Sequence, residues 1–133
     1  MILYINTALS DLIVLALADK KGKILKLKKI KAPYQQSEKL LTEIEKLTDV
    51  KKISGIIVVL GPGGFTSLRI GVASANALAF SLQIPIVGVE YSNSQSDEWI
   101  ITSGAKKLAK IKQFKQVMPK YGREPNITLK KKD

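Results

Sequence analysis

The sequence contains neither cysteine nor histidine. Without cysteine, disulfides and thiol nucleophiles are excluded, which fits a protein of the cytoplasm. Without histidine, the chain lacks the commonest general base and the commonest metal ligand. We therefore predict no zinc or other metal site, no cofactor and no catalytic residue.

Long apolar runs are also missing. No segment approaches the roughly 18–20 apolar residues of a membrane-spanning helix. The N-terminal residues Met1 to Tyr4 lack the basic head of a signal peptide, and Asn6 interrupts their apolar run. A length of 133 residues fits one domain, and a mean hydropathy of +0.05 is typical of soluble globular proteins. We expect a cytoplasmic protein without membrane contact.

Acidic and aromatic residues are scarce. Eleven Asp and Glu face 22 Lys and Arg, giving a net charge of +11, and aromatic residues make up 6%. Only Arg69 and Arg123 are arginines. Lysines supply phosphate contacts that are blind to sequence, whereas specific recognition favours arginine and exposed aromatic side chains. Two interpretations stay open: a compositional lysine bias on solvated faces, and a weak patch for a nucleic acid.

The apolar pattern predicts an α/β fold with a mixed five-stranded sheet and two main helices. Gly22 is expected to take a positive φ in a hairpin turn. Ser37 is expected to cap the first helix and Ser96 a third, shorter one with its apolar residues, Trp99 among them, docked on the body. The predicted strands are 2–6, 12–18, 23–31, 54–60 and 84–89, and the predicted helices are 37 to about 49, 66–82 and 97–113.

A glycine-rich loop separates the fourth strand from the second helix. Its residues are Gly61, Pro62, Gly63, Gly64, Phe65 and Thr66. A strand, a glycine turn and a helix together form the layout of phosphate-binding loops, because a helix N-terminus offers unpaired N–H groups. This loop lacks the Lys-Ser/Thr pair of a Walker loop and the G-x-G-x-x-G spacing. It is either a degenerate nucleotide site or a structural turn that presents the helix, with Thr66 placed to cap it.

The second helix carries Arg69 as its only charged residue. A helix that is apolar all round must be buried on more than one side. Gly71, Ala75 and Ala79 recur every four residues, so that another helix could approach closely there. Either the first helix covers this face, with its stripe of Leu40, Leu41, Ile44 and Leu47, or the two helices form an interface with another protein.

The segment Leu60 to Ala73 resembles the GPGSFTGLRIG signature of the TsaB (YeaZ-like) family of tRNA threonylcarbamoyladenosine biosynthesis. The resemblance extends to residues 77–80 and 84–89, to a first strand over 2–8, and to a closing segment over 118–125. It implies a ribonuclease-H-like, actin-like (ASKHA) subdomain over 1–91. It also implies a short remnant of a second subdomain and docking tail over 92–127, and a disordered basic tail over 128–133.

Three positions depart from the family pattern. Asn6 stands where the family has Asp, Gly64 replaces its Ser, and Ser67 replaces its second Gly. An acidic residue on the first strand helps actin-like ATPases to organise a metal–phosphate site. A neutral amide cannot supply that charge, so we expect metal-bound nucleotide to bind poorly.

The resemblance implies a non-catalytic scaffold subunit that binds the catalytic subunit TsaD, forms a homodimer in isolation and contacts tRNA weakly through lysines. The alternative is an independent small actin-fold ATPase or peptidase-like enzyme, which the lack of His, Cys and an acidic residue at position 6 disfavours. The expected partner-binding residues are Leu40, Leu41, Ile44, Leu47, Leu68, Arg69, Gly71, Val72, Ala75 and Ala79.

Overall fold

A computed structural model describes residues 1–9, 11–32, 36–92 and 94–120 of the chain. The five predicted strands form one mixed sheet in the order β3-β2-β1-β4-β5. β1 pairs antiparallel with β2 and parallel with β4, β2 pairs antiparallel with β3, and β4 pairs parallel with β5. The strands are β1 (Ile2–Asn6), β2 (Leu12–Ala18), β3 (Ile24–Lys31), β4 (Gly55–Gly61) and β5 (Ile86–Glu90).

Three helices pack on this sheet, and their ends differ from the prediction. They are α1 (Gln36–Leu47), α2 (Phe65–Leu82) and α3 (Asp97–Leu108). Because α1 begins before Ser37, that residue lies inside the helix and is not its N-cap. Asp49 does not extend α1 but accepts a hydrogen bond from the Lys51 N–H and so caps a separate short 3₁₀ turn. The prediction for Ser96 is confirmed, since its side chain accepts the Trp99 N–H at 3.1 Å.

The third helix is shorter than its apolar periodicity suggests. It ends at Leu108, and the Ile111 N–H donates to the Leu108 carbonyl in a turn beyond the helix. Ile111 still packs against the buried residues below α3. The helix predicted from the sequence is too long because Leu108 and Ile111 are spaced as in a helix, and this spacing does not show whether the backbone between them is helical.

Both faces of the sheet are buried at β1, β2 and β4, which explains why these strands read as continuous apolar runs, whereas the edge strand β3 is mostly exposed. Successive residues point to opposite faces. Leu3 and Ile56 belong to a cluster with α1 and α2, whereas Tyr4 and Ile57 belong to a cluster with α3. The chain therefore has three layers, with α1 and α2 on one face of the sheet and α3 on the other.

Glycines allow α3 to approach the sheet closely. A Cβ added to Gly104 would lie 2.8 Å from Ile57, and one added to Gly22 would lie 2.8 Å from the Thr102 Cα. Gly22 has φ +90°, as predicted for the hairpin. Gly104 therefore lets α3 pack closely on β4. Among the described residues, none of the helices combines the length and the apolarity needed to cross a membrane.

A crossing segment, residues 111–120, leaves α3 and reaches the opposite face of the sheet. Its first residue packs in the α3 cluster, whereas Phe114 and Val117 pack against the cluster of α1 and α2. The Asn76 side chain of α2 donates to the Val117 carbonyl at 2.8 Å and accepts its N–H at 3.0 Å. The Phe80 and Phe114 rings meet edge to face with centroids 5.6 Å apart. The crossing segment thus covers part of α2. Pro33 and the predicted basic tail over 128–133 lie outside the described residues, as do all residues from 121 on.

Candidate partner-binding face and glycine loop

The glycine loop begins in a backbone conformation that favours glycine. Gly61 has φ +132°, and a Cβ at this position would collide with the Lys120 carbonyl of the crossing segment. The Lys120 N–H donates to the Leu60 carbonyl at 2.6 Å, and the Tyr91 N–H donates to the Gly61 carbonyl at 2.7 Å. The end of β4 is therefore held by two segments that are distant in sequence.

The middle of the loop packs against the end of β1. The Gly64 N–H donates to the Ala8 carbonyl at 2.9 Å, and a Cβ on Gly63 would collide with the backbone of Ala8. A phosphate-binding loop directs such N–H groups toward its ligand. Here the Gly64 N–H is directed toward the chain itself, which favours the structural turn over the nucleotide site.

The start of α2 differs from the prediction. The N-cap is Gly64, without a side-chain capping hydrogen bond, and Thr66 lies within the first turn of the helix. Thr66 is therefore not the cap, because the helix already begins at Phe65. The Ser67 hydroxyl donates to the Gly64 carbonyl at 3.2 Å, and the Thr7 hydroxyl donates to the Ser67 carbonyl at 2.8 Å. These bonds attach the first turn of α2 to the end of β1.

Most of the residues expected to contact a partner are buried within the chain, which corrects the sequence-based assignment. The Gly71 position faces the Thr7 side chain, and Ala75 and Ala79 belong to the cluster that includes α1 residues. The small residues thus allow close packing inside the molecule. The buried members of the expected set are Leu40, Ile44, Leu47, Leu68, Gly71, Val72, Ala75 and Ala79.

The two remaining members of that set, Leu41 and Arg69, are exposed. Arg69 lies on one face of α2 together with Ala73, Ala77 and Phe80, since these positions recur every three or four residues. Phe80 is 61% exposed and Leu41 on α1 is 50% exposed. We call Arg69, Ala73, Ala77 and Phe80 the exposed α2 face. Among the described residues, it is a surface of small and apolar side chains that the sheet and α1 leave open, and at Phe80 it adjoins Phe114 of the crossing segment.

A polar cluster joins β1 to the start of α3. Asp97 accepts hydrogen bonds from the Tyr4 hydroxyl at 2.6 Å and from the Asn6 amide at 3.2 Å. The Asn6 carbonyl oxygen accepts the Ala8 N–H at 2.9 Å. Position 6 is neutral, but the fold brings a carboxylate to it from a residue 91 positions away in the sequence. The Asn6 amide and the Asp97 carboxylate therefore bind each other and hold the start of α3 against β1.

Replacing Tyr4 by Phe tests the hydrogen bond between Tyr4 and Asp97 through the pH dependence of the free energy of unfolding. Burial, followed by the hydrogen bond to Asp97, raises the pKa of Tyr4 far above its ordinary value of 10.0. A raised folded-state pKa means that the folded chain keeps its proton after the unfolded chain has lost it. Stability is therefore fully present below pH 10 and falls above it, by about 1.4 kcal/mol per pH unit from this group.

The expected result is that Tyr4→Phe lowers the free energy of unfolding at pH 7 by about 1–2 kcal/mol, because a buried hydrogen bond is lost. The variant should also show a shallower decline in stability than the wild type above pH 10. Denaturant titrations between pH 7 and 11 measure both effects. Parallel alkaline declines of the two proteins would contradict the assignment, since the variant lacks the Tyr4 hydroxyl.

A cavity of about 220 Å³ lies between the end of β5 and α3, lined by residues that include Glu90, Trp99, Ser103 and Lys107. Trp99 is 54% exposed, so the expectation that it docks on the body is wrong. The buried apolar residues of α3 are Ile100, Ile101 and Leu108 instead. Glu90 pairs with Lys120 of the crossing segment at 3.1 Å.

Sequence reasoning missed three features of these sites: Asp97 as the partner of Tyr4 and Asn6, the crossing segment on α2, and the exposure of Trp99. Local signals located the start of α3 correctly but say nothing about which strand it meets. A search for cationic side chains two turns from Trp99 would have found Lys106 and Lys107 on the same face of α3.

Comparison with known proteins identifies the family to which the chain belongs. The family model described as TsaD, tRNA N6-adenosine threonylcarbamoyltransferase, matches residues 19–94, which is more than half of the chain. A tRNA N6-adenosine threonylcarbamoyltransferase of Geotalea daltonii is 44% identical over 45 residues, which are 34% of this chain and 13% of that protein. The tRNA threonylcarbamoyladenosine biosynthesis protein TsaB of Bacillus subtilis strain 168 is 54% identical over 37 residues, which are 28% of this chain and 16% of that protein.

Solved structures agree with these relatives. YeaZ from Pseudomonas aeruginosa superposes with a TM-score of 0.58 and 26% identity, over 67% of this chain and 43% of the YeaZ chain. The chain thus spans less than half of this structural neighbour and a small part of the curated relatives. The mixed sheet with three helices matches the actin-like architecture expected from the sequence, and the resemblance to TsaB (YeaZ) is confirmed. The chain belongs to the TsaD family and is similar to TsaB (YeaZ), whose relative in Bacillus subtilis is named for tRNA threonylcarbamoyladenosine biosynthesis.

Proposed function

We propose that this chain is a non-catalytic, TsaB-like scaffold that binds a TsaD-type subunit and supports threonylcarbamoyladenosine modification of tRNA. The observation that carries the proposal is the exposed α2 face. Ala73, Ala77 and Phe80 present small and apolar surface to solvent, with Arg69 at one end. Apolar surface of this kind on a helix is typical of a protein-binding site.

The partner-binding surface is therefore a revised one. The buried small residues Gly71, Ala75 and Ala79 set the position of α2 but cannot touch another protein. Contact falls to the exposed α2 face and to Leu41 on α1. In isolation the same surface would support a homodimer, and a TsaD-type subunit would compete with the second copy for it.

The glycine loop and the polar cluster support a role without catalysis. The Gly64 N–H is bound by Ala8, and the Asp97 carboxylate is bound by Tyr4 and Asn6. These groups are the ones that a nucleotide or metal site at this end of the sheet would need. They hold β1, β4 and α3 together instead, so we expect no hydrolysis of ATP by the isolated chain.

The transferase named for the TsaD relatives is a second candidate activity, favoured by the match of the TsaD family model over residues 19–94. That activity belongs to proteins of which the aligned segment is a small part, 13% for the Geotalea daltonii protein. The candidates differ in one measurable respect. A scaffold requires a separate TsaD subunit for modification, whereas a transferase does not.

Ala77→Glu tests the proposed interface. Ala77 is exposed on α2, so the variant should fold like the wild type while placing a charge in the contact. Its affinity for the cognate TsaD, measured by sedimentation or calorimetry, is expected to fall at least tenfold, which is about 1.4 kcal/mol. Ala109→Glu is the matched control, since Ala109 is exposed beyond α3 on the other face of the sheet. Equal affinities of both variants and the wild type would remove the exposed α2 face from the interface.

A further inference from the structure

The outer face of α3 combines an exposed aromatic ring with a row of lysines. Trp99, Ser103, Lys106, Lys107 and Lys110 are spaced three or four residues apart, so they lie on one side of the helix and of the turn that follows it. Trp99 lies at the N-terminal end of this row, and the lysines follow toward the C-terminal end. We call these residues the α3 row.

Among the described residues, the lysines of this surface form no ion pair. Within the described part of the chain, the ion pairs of lysine involve Lys28, Lys46 and Lys120. Lys106, Lys107 and Lys110 are exposed, and so are Lys112 and Lys115 of the crossing segment. Lys106, Lys107 and Lys110 form a cationic surface at the C-terminal end of α3 that is complementary to a polyanion, and Glu90 is the carboxylate that lines the cavity with Lys107.

The cavity beside Trp99 adds groups that a charged surface alone lacks. Besides Trp99 and Lys107, its lining includes the polar side chains of Glu90, Gln95 and Ser103. An indole ring offers a stacking surface for a base, and amide, hydroxyl and carboxylate groups can meet the polar edge of that base. Lys107, about two turns from the ring, and Lys110, about three turns from it, are placed to meet the phosphates that adjoin the stacked base.

We propose that the α3 row and its cavity bind single-stranded RNA, with one unpaired base stacked on Trp99 and the neighbouring phosphates held by Lys107 and Lys110. The choice of RNA among polyanions rests on the proposed role in tRNA modification. The site lies on the opposite side of the sheet from the exposed α2 face. The chain can therefore hold RNA and a protein partner at the same time.

Trp99 is the single tryptophan of the chain, so its fluorescence reports on the site directly. The full-length chain is titrated with a ten-nucleotide single-stranded RNA and, separately, with inorganic polyphosphate. RNA is expected to quench Trp99 emission, because a base stacks on the indole, whereas polyphosphate binds without quenching. With two phosphate contacts, the RNA affinity should fall roughly sevenfold between 50 and 200 mM salt.

Variants distinguish RNA binding at the α3 row from non-specific electrostatic attraction of RNA to surface lysines. By anisotropy of labelled RNA, Trp99→Ala is expected to lose at least fivefold in affinity and Trp99→Phe to lose little. Lys107→Gln with Lys110→Gln should weaken binding several-fold. The matched control is Lys29→Gln with Lys31→Gln, which removes the same charge from exposed positions of β3 and should leave both affinity and quenching nearly unchanged.

Unchanged Trp99 emission at saturating RNA would overturn the proposal. Equal weakening by the α3 and β3 lysine variants would also overturn it and would indicate a charge effect spread over the surface. Binding of TsaD to Trp99→Ala separates this proposal from the proposed function. If RNA binding is lost while TsaD binding is kept, the RNA site stands as a separate one. If the wild type fails to bind TsaD but RNA still quenches Trp99, the scaffold role fails and the RNA site remains.

Discussion

Ala75→Glu is expected to unfold the chain, not merely to weaken its association with a partner. Ala75 is fully buried in the cluster formed with α1, although the helical pattern alone made it a candidate contact residue. A carboxylate there would be desolvated without a described cationic partner. We expect a loss of about 4 kcal/mol or more in the free energy of unfolding, which is a large share of the stability of a small domain.

Ala77→Glu is the matched control, because it introduces the same side chain at an exposed position of the same helix. The two alanines are two residues apart on α2, but one is buried and the other is exposed. Thermal unfolding should show a low or absent transition for Ala75→Glu and a nearly unchanged one for Ala77→Glu. An Ala75→Glu variant that melts like the wild type would contradict the packing of α2 described above.

Gly61→Ala is expected to have the second largest effect. The residue has φ +132°, which side chains rarely adopt, and a Cβ would meet the Lys120 carbonyl. Since the obstacle is backbone on another segment, it cannot be relieved by a side-chain rotation. Strain and displacement together should lower the free energy of unfolding by about 3 kcal/mol or more.

Gly64→Ser is the matched control within the same loop. Gly64 has φ −62° and ψ 129°, angles that any residue adopts, and the TsaB signature has Ser there. Denaturant titration should show a large loss for Gly61→Ala and a small change for Gly64→Ser. Faster exchange of the Lys120 amide in Gly61→Ala would show that the crossing segment has been displaced, and equal stability of both variants would contradict this account.

Much of the fold follows from the sequence because local patterns determine it. The runs of β2 and β4, the turn at Gly22 and the cap at Ser96 each depend on residues within a few positions, and these predictions are confirmed. The helix ends predicted from the sequence were less accurate than the strands. Ile111 has helical spacing, but it lies in a turn beyond α3.

The candidate sites were harder to predict because they depend on which segments meet. An apolar helix such as α2 must be covered, but its sequence does not tell whether the cover is a sheet, another helix, an extended segment or a partner. Here Asn76 binds the backbone at Val117, 41 residues later. Likewise, the pairing of Asp97 with Tyr4 and Asn6 arises only when the start of α3 reaches β1.

Reconstitution tests the scaffold role most directly. The cognate TsaD, a threonylcarbamoyl donor and tRNA are combined with wild-type chain, with Ala77→Glu, with the β3 variant Lys29→Gln/Lys31→Gln or with no added chain, and modified adenosine is measured. The scaffold predicts modification with the wild type and with the β3 variant, and little with Ala77→Glu or without the chain. Equal modification in its absence, or modification by the chain without TsaD, would contradict the account.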